Sequence, residues 1–110
     1  MTITEYLKNK NINPTTYLNI AKKTGSSAGY NPKLISFSQN PKYKLNYDGT
    51  DFGASGYNDF ILYKLLEKEQ EVPSGTSDKR RNAYRTRAKS TMEKTNNKYS
   101  KASLSYHILW

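Results

Sequence analysis

A basic block that closes on an apolar, aromatic tail constrains this chain more than any other feature. Between residues 72 and 110, nine Lys or Arg stand against two acids, Asp78 and Glu93, and the last seven residues read LSYHILW. So cationic a segment must face solvent, nucleic acid, an anionic surface or an acidic partner. The tail beside it is too apolar to be left loose. Charge is segregated elsewhere too. Residues 1–44 carry seven bases and one acid, residues 45–71 two bases and six acids, within a net charge of +9. An acidic stretch between two basic ones fits pairing inside the fold or between neighbouring copies.

At 110 residues the chain is one domain at most. A chain of this size buries roughly 60–70% of its unfolded surface, enough for one modest core. Only 35% of residues are hydrophobic, and ten Tyr supply much of that share. Tyr suits half-buried sites and contacts between proteins. With so few aliphatic residues, both an autonomous fold and one completed by a partner stay open. The absence of Cys removes disulfides and thiolate metal sites. No apolar run has the length of a membrane span, and MTITEYLKNK lacks the core of a signal peptide. The expectation is a protein on the cytoplasmic or nuclear side of any membrane.

Along the chain, Thr2 and Glu5 form a capping box for a first helix holding Ile3, Tyr6 and Leu7. Asn13-Pro14 starts a second, with Tyr17, Leu18, Ile20 and Ala21, that stops at Gly25. Residues 1–25 therefore read as a helical hairpin. Residues 26–49 read as linker and short strands: TGSSAGYNP is a linker or exposed loop, residues 33–38 and 43–47 are extended, and Asp48-Gly49 turns. In residues 50–110, the two glycines of FGASGYNDF permit a tight backbone path. A third helix follows from about Asn58 and ends at Pro73. Its Glu67, Glu69 and Glu71 lie where the helix field disfavours acids, which calls for a basic neighbour in the Arg-rich segment. Ser77 or Asp78 caps a fourth helix running to about Lys94. Tyr84, Ala88 and Met92 form a thin apolar stripe on it, flanked by Arg81, Arg85 and Lys89 on one side and Arg80, Arg87 and Lys94 on the other. The tail fits a short helix or a strand. The fold class is a small, mainly helical α+β protein of four to five short helices with a β-hairpin, either folded alone or extended and dependent on a partner.

No catalytic, metal or cofactor set emerges, and no small-molecule substrate is indicated. His107, the single histidine, lies between Tyr106 and Ile108 and reads as a core or interface residue rather than a ligand or an acid–base group. Asp48, Asp51 and Asp59 do not have calcium-loop spacing and suit turns and helix caps. FGASGYNDF lacks the glycine pattern and the Lys-Ser/Thr of a phosphate loop. Three readings fit the basic helix: a solvated face bridged to the 45–71 acids, a protein-assembly surface, or phosphate contacts with nucleic acid. A nucleic-acid-binding signature of known type is absent.

Two blocks carry a resemblance. FGASGYNDF, followed by DKRRNAYRTRA at residues 78–88 and YSKASLSYHILW at 99–110, is similar to a family of short basic proteins of undefined function from nucleocytoplasmic large DNA viruses. The pattern covers roughly residues 50–110, through Phe52, Gly53, Gly56, Tyr57, Asp59, Phe60, Arg80, Arg81, Tyr84, Arg87, Leu109 and Trp110. The chain departs from the family at Ala88, where relatives have His, and at residues 104–106, where relatives have Gly-Phe-Trp. The resemblance implies a viral setting and no activity. In that setting the expectation is a non-enzymatic minor capsid protein, in the virion and in host cytoplasm during assembly. It would bind capsid proteins through Arg80, Arg81, Tyr84, Arg85, Arg87, Tyr106, Leu109 and Trp110. The alternative is a non-specific DNA-binding or genome-packaging protein using the same arginines.

Overall fold

The computed structural model describes residues 2–110. Helix α1, Ile3–Asn9, begins where the Thr2 hydroxyl accepts the Glu5 amide at 3.2 Å. Helix α2, Pro14–Ser27, begins where Asn13 Oδ1 accepts the Thr15 amide at 2.8 Å. Both starts are where the capping residues put them. The end of α2 is not. The helix runs through Gly25, which is buried, because a Cβ there would lie 2.5 Å from Ile35 Cδ1. Gly25 is a notch for packing rather than a stop. The stretch expected as linker or exposed loop is therefore helix as far as Ser27. Beyond it Tyr30 is buried, its hydroxyl donating to the Lys98 carbonyl at 2.8 Å. A single 3-10 turn, Pro32–Leu34, leads into the sheet.

Three antiparallel strands lie in chain order: β1 (Ile35–Phe37), β2 (Tyr43–Tyr47) and β3 (Thr50–Ala54). Tyr47 pairs with Ile35 on one side and Thr50 on the other. Asp48 (φ 48°) and Gly49 (φ 93°) form the two-residue turn between β2 and β3, as a type I′ hairpin requires. The third strand was not among the expected elements, and it carries the tight backbone path of the FGASGYNDF glycines at Gly53, whose φ is 76°. Asp51 and Gly53 are poor strand formers. Pairing overrides them: Phe52 points into the core while Asp51 accepts hydrogen bonds from Ser38 (2.7 Å) and Asn46 (2.9 Å).

Helix α3, Phe60–Lys68, is capped by Asp59 and ends before Gln70, whose φ is 59°. Helix α4, Thr76–Thr95, starts earlier than Ser77 or Asp78 would start it. Its N-cap is Gly75, and the Ser77 amide donates to the Glu67 carboxylate instead. Asn96, in the left-handed region, ends it. Helix α5, Lys101–Leu104, capped by Ser100, continues into a π-helical turn, Ser105–Leu109, so the tail is helical and not a strand.

The core draws on the whole chain: Leu7 and Tyr17 from the first segment, Ile35 and Leu45 from the second, Phe52, Leu62 and Ile108 from the third. The Cα radius of gyration is 13.2 Å, close to the roughly 13 Å of a compact domain this size. The extended form that the sequence left open is not the one observed. The architecture is mixed α+β, five helices around one small antiparallel sheet.

Candidate functional site: an arginine-rimmed cleft

The site is built outward from Asp59. Its Oδ1 accepts the Leu62 amide at 2.9 Å and so caps α3, while its Oδ2 takes the Lys44 ammonium at 2.9 Å and the Tyr17 hydroxyl at 2.6 Å. Lys44 and Asp59 are 2% and 1% exposed. One carboxylate thus ties α2, β2 and α3 together. Burial, and next the Asp59 charge, push the Tyr17 hydroxyl well above the usual phenol range. Lys44 and its neighbour Leu45 are both buried, so both faces of β2 are covered.

Gly53 brings the C-terminal turn down onto this floor. Its φ is 76°, and a Cβ would lie 2.6 Å from Leu109 Cδ1 and 3.6 Å from Lys44 Cβ. Above it, Trp110 stacks on Tyr84 with ring centroids 4.4 Å apart and planes 9° from parallel. Arg81 Nε and Arg85 Nε both donate to the Trp110 main-chain oxygen, at 2.7 and 3.1 Å. Arg81 lies over the Phe60 ring and Arg85 over the Tyr106 ring, at 4.6 and 5.3 Å.

Between β3, the 55–58 loop, α4 and the C-terminal turn lies a cleft of about 440 Å³. Arg80 and Arg87 stand at its edge on the exposed side of α4, and Lys44 lines it. Its aromatic wall is Tyr57, Tyr63, Tyr84 and Trp110. No Asp or Glu lines it; Asp59 sits behind Lys44. The two resembling blocks meet here. Gly53 and Tyr57 come from the first, and Arg80, Tyr84, Arg87, Leu109 and Trp110 from the second.

The residues nominated from sequence divide by role. Arg80 and Arg87 face outward. Tyr84 and Trp110 form the wall. Arg81 and Arg85 turn inward and hold the protein's own tail. Tyr106 is half-buried beneath Arg85. Leu109, expected to contact capsid proteins, is a core residue at 1% exposure, because the tail fills the cavity over Gly53. The expected pairing of Glu67, Glu69 and Glu71 with the Arg-rich helix is also not what forms. Among the described residues the only ion pair is Lys44–Asp59. Glu67 instead holds the start of α4, and the Ser77 amide keeps its carboxyl below the usual range.

His107 is half-buried, 5.1 Å from the Tyr106 ring and 6.3 Å from that of Tyr30. Burial first, then Arg85 and Lys98, lower its pKa. No group of three His, Asp or Glu among the described residues is placed to hold a metal ion. No helix there is long and apolar enough to cross a membrane. Sequence reasoning passed over Lys44 and placed Tyr17 only as a residue of the second helix, and with reason. In YKLNY a lysine beside a leucine reads as the outward half of an alternating strand, and nothing local marks its partner. No family model, curated protein or solved structure matches this chain.

Proposed function

We propose that this protein is a minor capsid protein of a large DNA virus, a small staple that binds acidic surfaces of neighbouring capsid proteins through the outward face of α4. One observation carries the reading. Lys79, Arg80, Arg87, Lys89 and Lys94 are all exposed, and among the described residues none forms an ion pair with an acid. A cationic face without internal acidic partners is complementary to an acidic one outside. The viral setting comes from the sequence resemblance. The aromatic tail has a different part from the one first expected. It rigidifies the platform from within, leaving exposed Tyr57, which lines the same cleft as Arg80 and Arg87, as an anchor candidate. The protein then belongs to the virion, and to host cytoplasm during assembly. Mass spectrometry of purified particles, with cross-linking to find neighbours, tests this: absence from particles sinks the reading, and cross-links should map to α4.

Non-specific duplex binding is the second reading. It is favoured by Arg80, Arg87 and Lys94 recurring every seventh residue along α4, about 10 Å apart at the helical rise. Its signature is steep salt dependence, about 0.9 log units in affinity per phosphate contact.

A further inference from the structure

The cleft has features that a flat cationic face does not need. Three cations but no Asp or Glu line it, and one of the cations, Lys44, is already neutralised by Asp59. Its net positive potential therefore comes from Arg80 and Arg87. These stand two helical turns apart, about 10 Å along α4, within reach of one group placed between two such long side chains, and Arg80 lies over the Tyr63 ring of the wall at 5.8 Å. The aliphatic lining is only Ala54, Ala83 and Leu109, and the larger apolar part of the wall is aromatic. Such a wall accepts a flat ring better than an aliphatic side chain.

Among the described residues Tyr57 is the most exposed large hydrophobic one, at 72%, and it stands at the cleft. A tyrosine left in water on the Gly56 turn contributes little to folding and is placed to stack. Trp110 already has a partner in Tyr84, so the wall stays ordered without a ligand. Asn58 adds a polar group. Its Oδ1 accepts the Tyr6 hydroxyl at 2.8 Å, which fixes the amide with its nitrogen as the remaining donor.

We propose that this cleft binds a single nucleotide unit, its phosphate between Arg80 and Arg87 and its base against Tyr57 and the Trp110 wall. Guanidinium groups suit phosphate through paired N–H donors, and stacking on tyrosine tolerates any base. The unit is either a free mononucleotide or one residue of a single strand. The site goes beyond the staple reading and does not rest on it, because Lys79, Lys89 and Lys94 serve the α4 face but do not line the cleft.

Trp110 is the only tryptophan, so its fluorescence reports occupancy of the cleft directly. The full chain is titrated at physiological salt with AMP, adenosine, inorganic phosphate, a short oligothymidylate and an oligoglutamate peptide. AMP should change Trp110 emission saturably, with adenosine and phosphate each at least about tenfold weaker. Arg80→Gln with Arg87→Gln should weaken AMP about tenfold or more, and Tyr57→Ala about five- to tenfold, both with unchanged thermal midpoints. A Lys79/Lys89/Lys94→Ala variant should keep AMP affinity within about twofold while losing any capsid or duplex binding. AMP alone binding identifies a free nucleotide; tighter oligothymidylate binding identifies a strand. No saturable response to either, an equal response to oligoglutamate, or full AMP affinity in the Arg80/Arg87 variant each overturns the assignment.

Discussion

Lys44 and Asp59 form a 2.9 Å ion pair in the interior, joining the middle strand to the start of α3. The pair survives burial because the carboxylate has other donors, the Leu62 amide and the Tyr17 hydroxyl. Taking both charges out of water costs several kcal/mol that their attraction only partly offsets. The arrangement therefore specifies how sheet and helices meet more than it adds net stability.

Removing one partner is a sharper perturbation than removing both. Lys44→Met should lower the unfolding free energy by about 3 kcal/mol, since it strands a buried carboxylate. Pairing it with Asp59→Asn, which keeps a capping side chain, should restore part of the loss. Urea denaturation of the two singles and the double gives the coupling. A Lys44→Met cost below about 1 kcal/mol would mean that the carboxylate does not depend on the lysine.

Gly25 offers a test against helix propensity. Gly→Ala within a helix ordinarily stabilises by about 1 kcal/mol. At Gly25 the new methyl would meet Ile35 Cδ1 at 2.5 Å, so Gly25→Ala should destabilise by about 1–3 kcal/mol. Ile35→Val removes the atom in the way. The double variant should be more stable than the sum of the singles predicts, as thermal unfolding will show.

The inward arginines should behave unlike their outward neighbours. Arg81→Ala and Arg85→Ala each remove a charge-assisted bond to the Trp110 main-chain oxygen, costing about 1.5–3 kcal/mol. Together they should red-shift Trp110 fluorescence as the ring leaves Tyr84. Lys79→Ala and Lys89→Ala should stay within about 0.5 kcal/mol of wild type. Equal effects at all four positions would contradict the division of roles.

The pKa of His107 is lowered by burial and by Arg85 and Lys98. Its unfolded form thus takes up a proton at higher pH than its folded form. The unfolded state binds more protons between the two values, so stability is greatest above the ordinary histidine range and falls as pH drops through it. His107→Gln should flatten the profile in that window. The reading fails if chemical denaturation at a series of pH values gives parallel curves for wild type and variant.

The starts of α1 and α2 and the Asp48-Gly49 turn were legible because caps and turns act within three or four residues. Thr2 reaches the Glu5 amide, Asn13 reaches Thr15, and Asp48-Gly49 can do little but turn. Strand β3 was not legible, because Asp51 and Gly53 oppose it locally and only pairing with β2 outweighs them. Gly25 misled for a related reason. A glycine that ends a helix and one that makes room for Ile35 look the same until Ile35 is in place.

The cleft was half legible. The resembling blocks contain most of its wall, but which cations rim it was not in the pattern. On a wheel, Arg80, Arg81, Arg85 and Arg87 flank one stripe alike. The Trp110 oxygen, 29 residues beyond Arg81, turns Arg81 and Arg85 inward. Asp59, 15 residues beyond Lys44, draws that lysine into the interior. The sequence by itself determined where α1 and α2 begin and where the chain turns at Asp48-Gly49, since those energies are settled between near neighbours. Tertiary structure alone decided which charges are buried, because the cost of desolvating a cation is met only by a partner that folding brings to it.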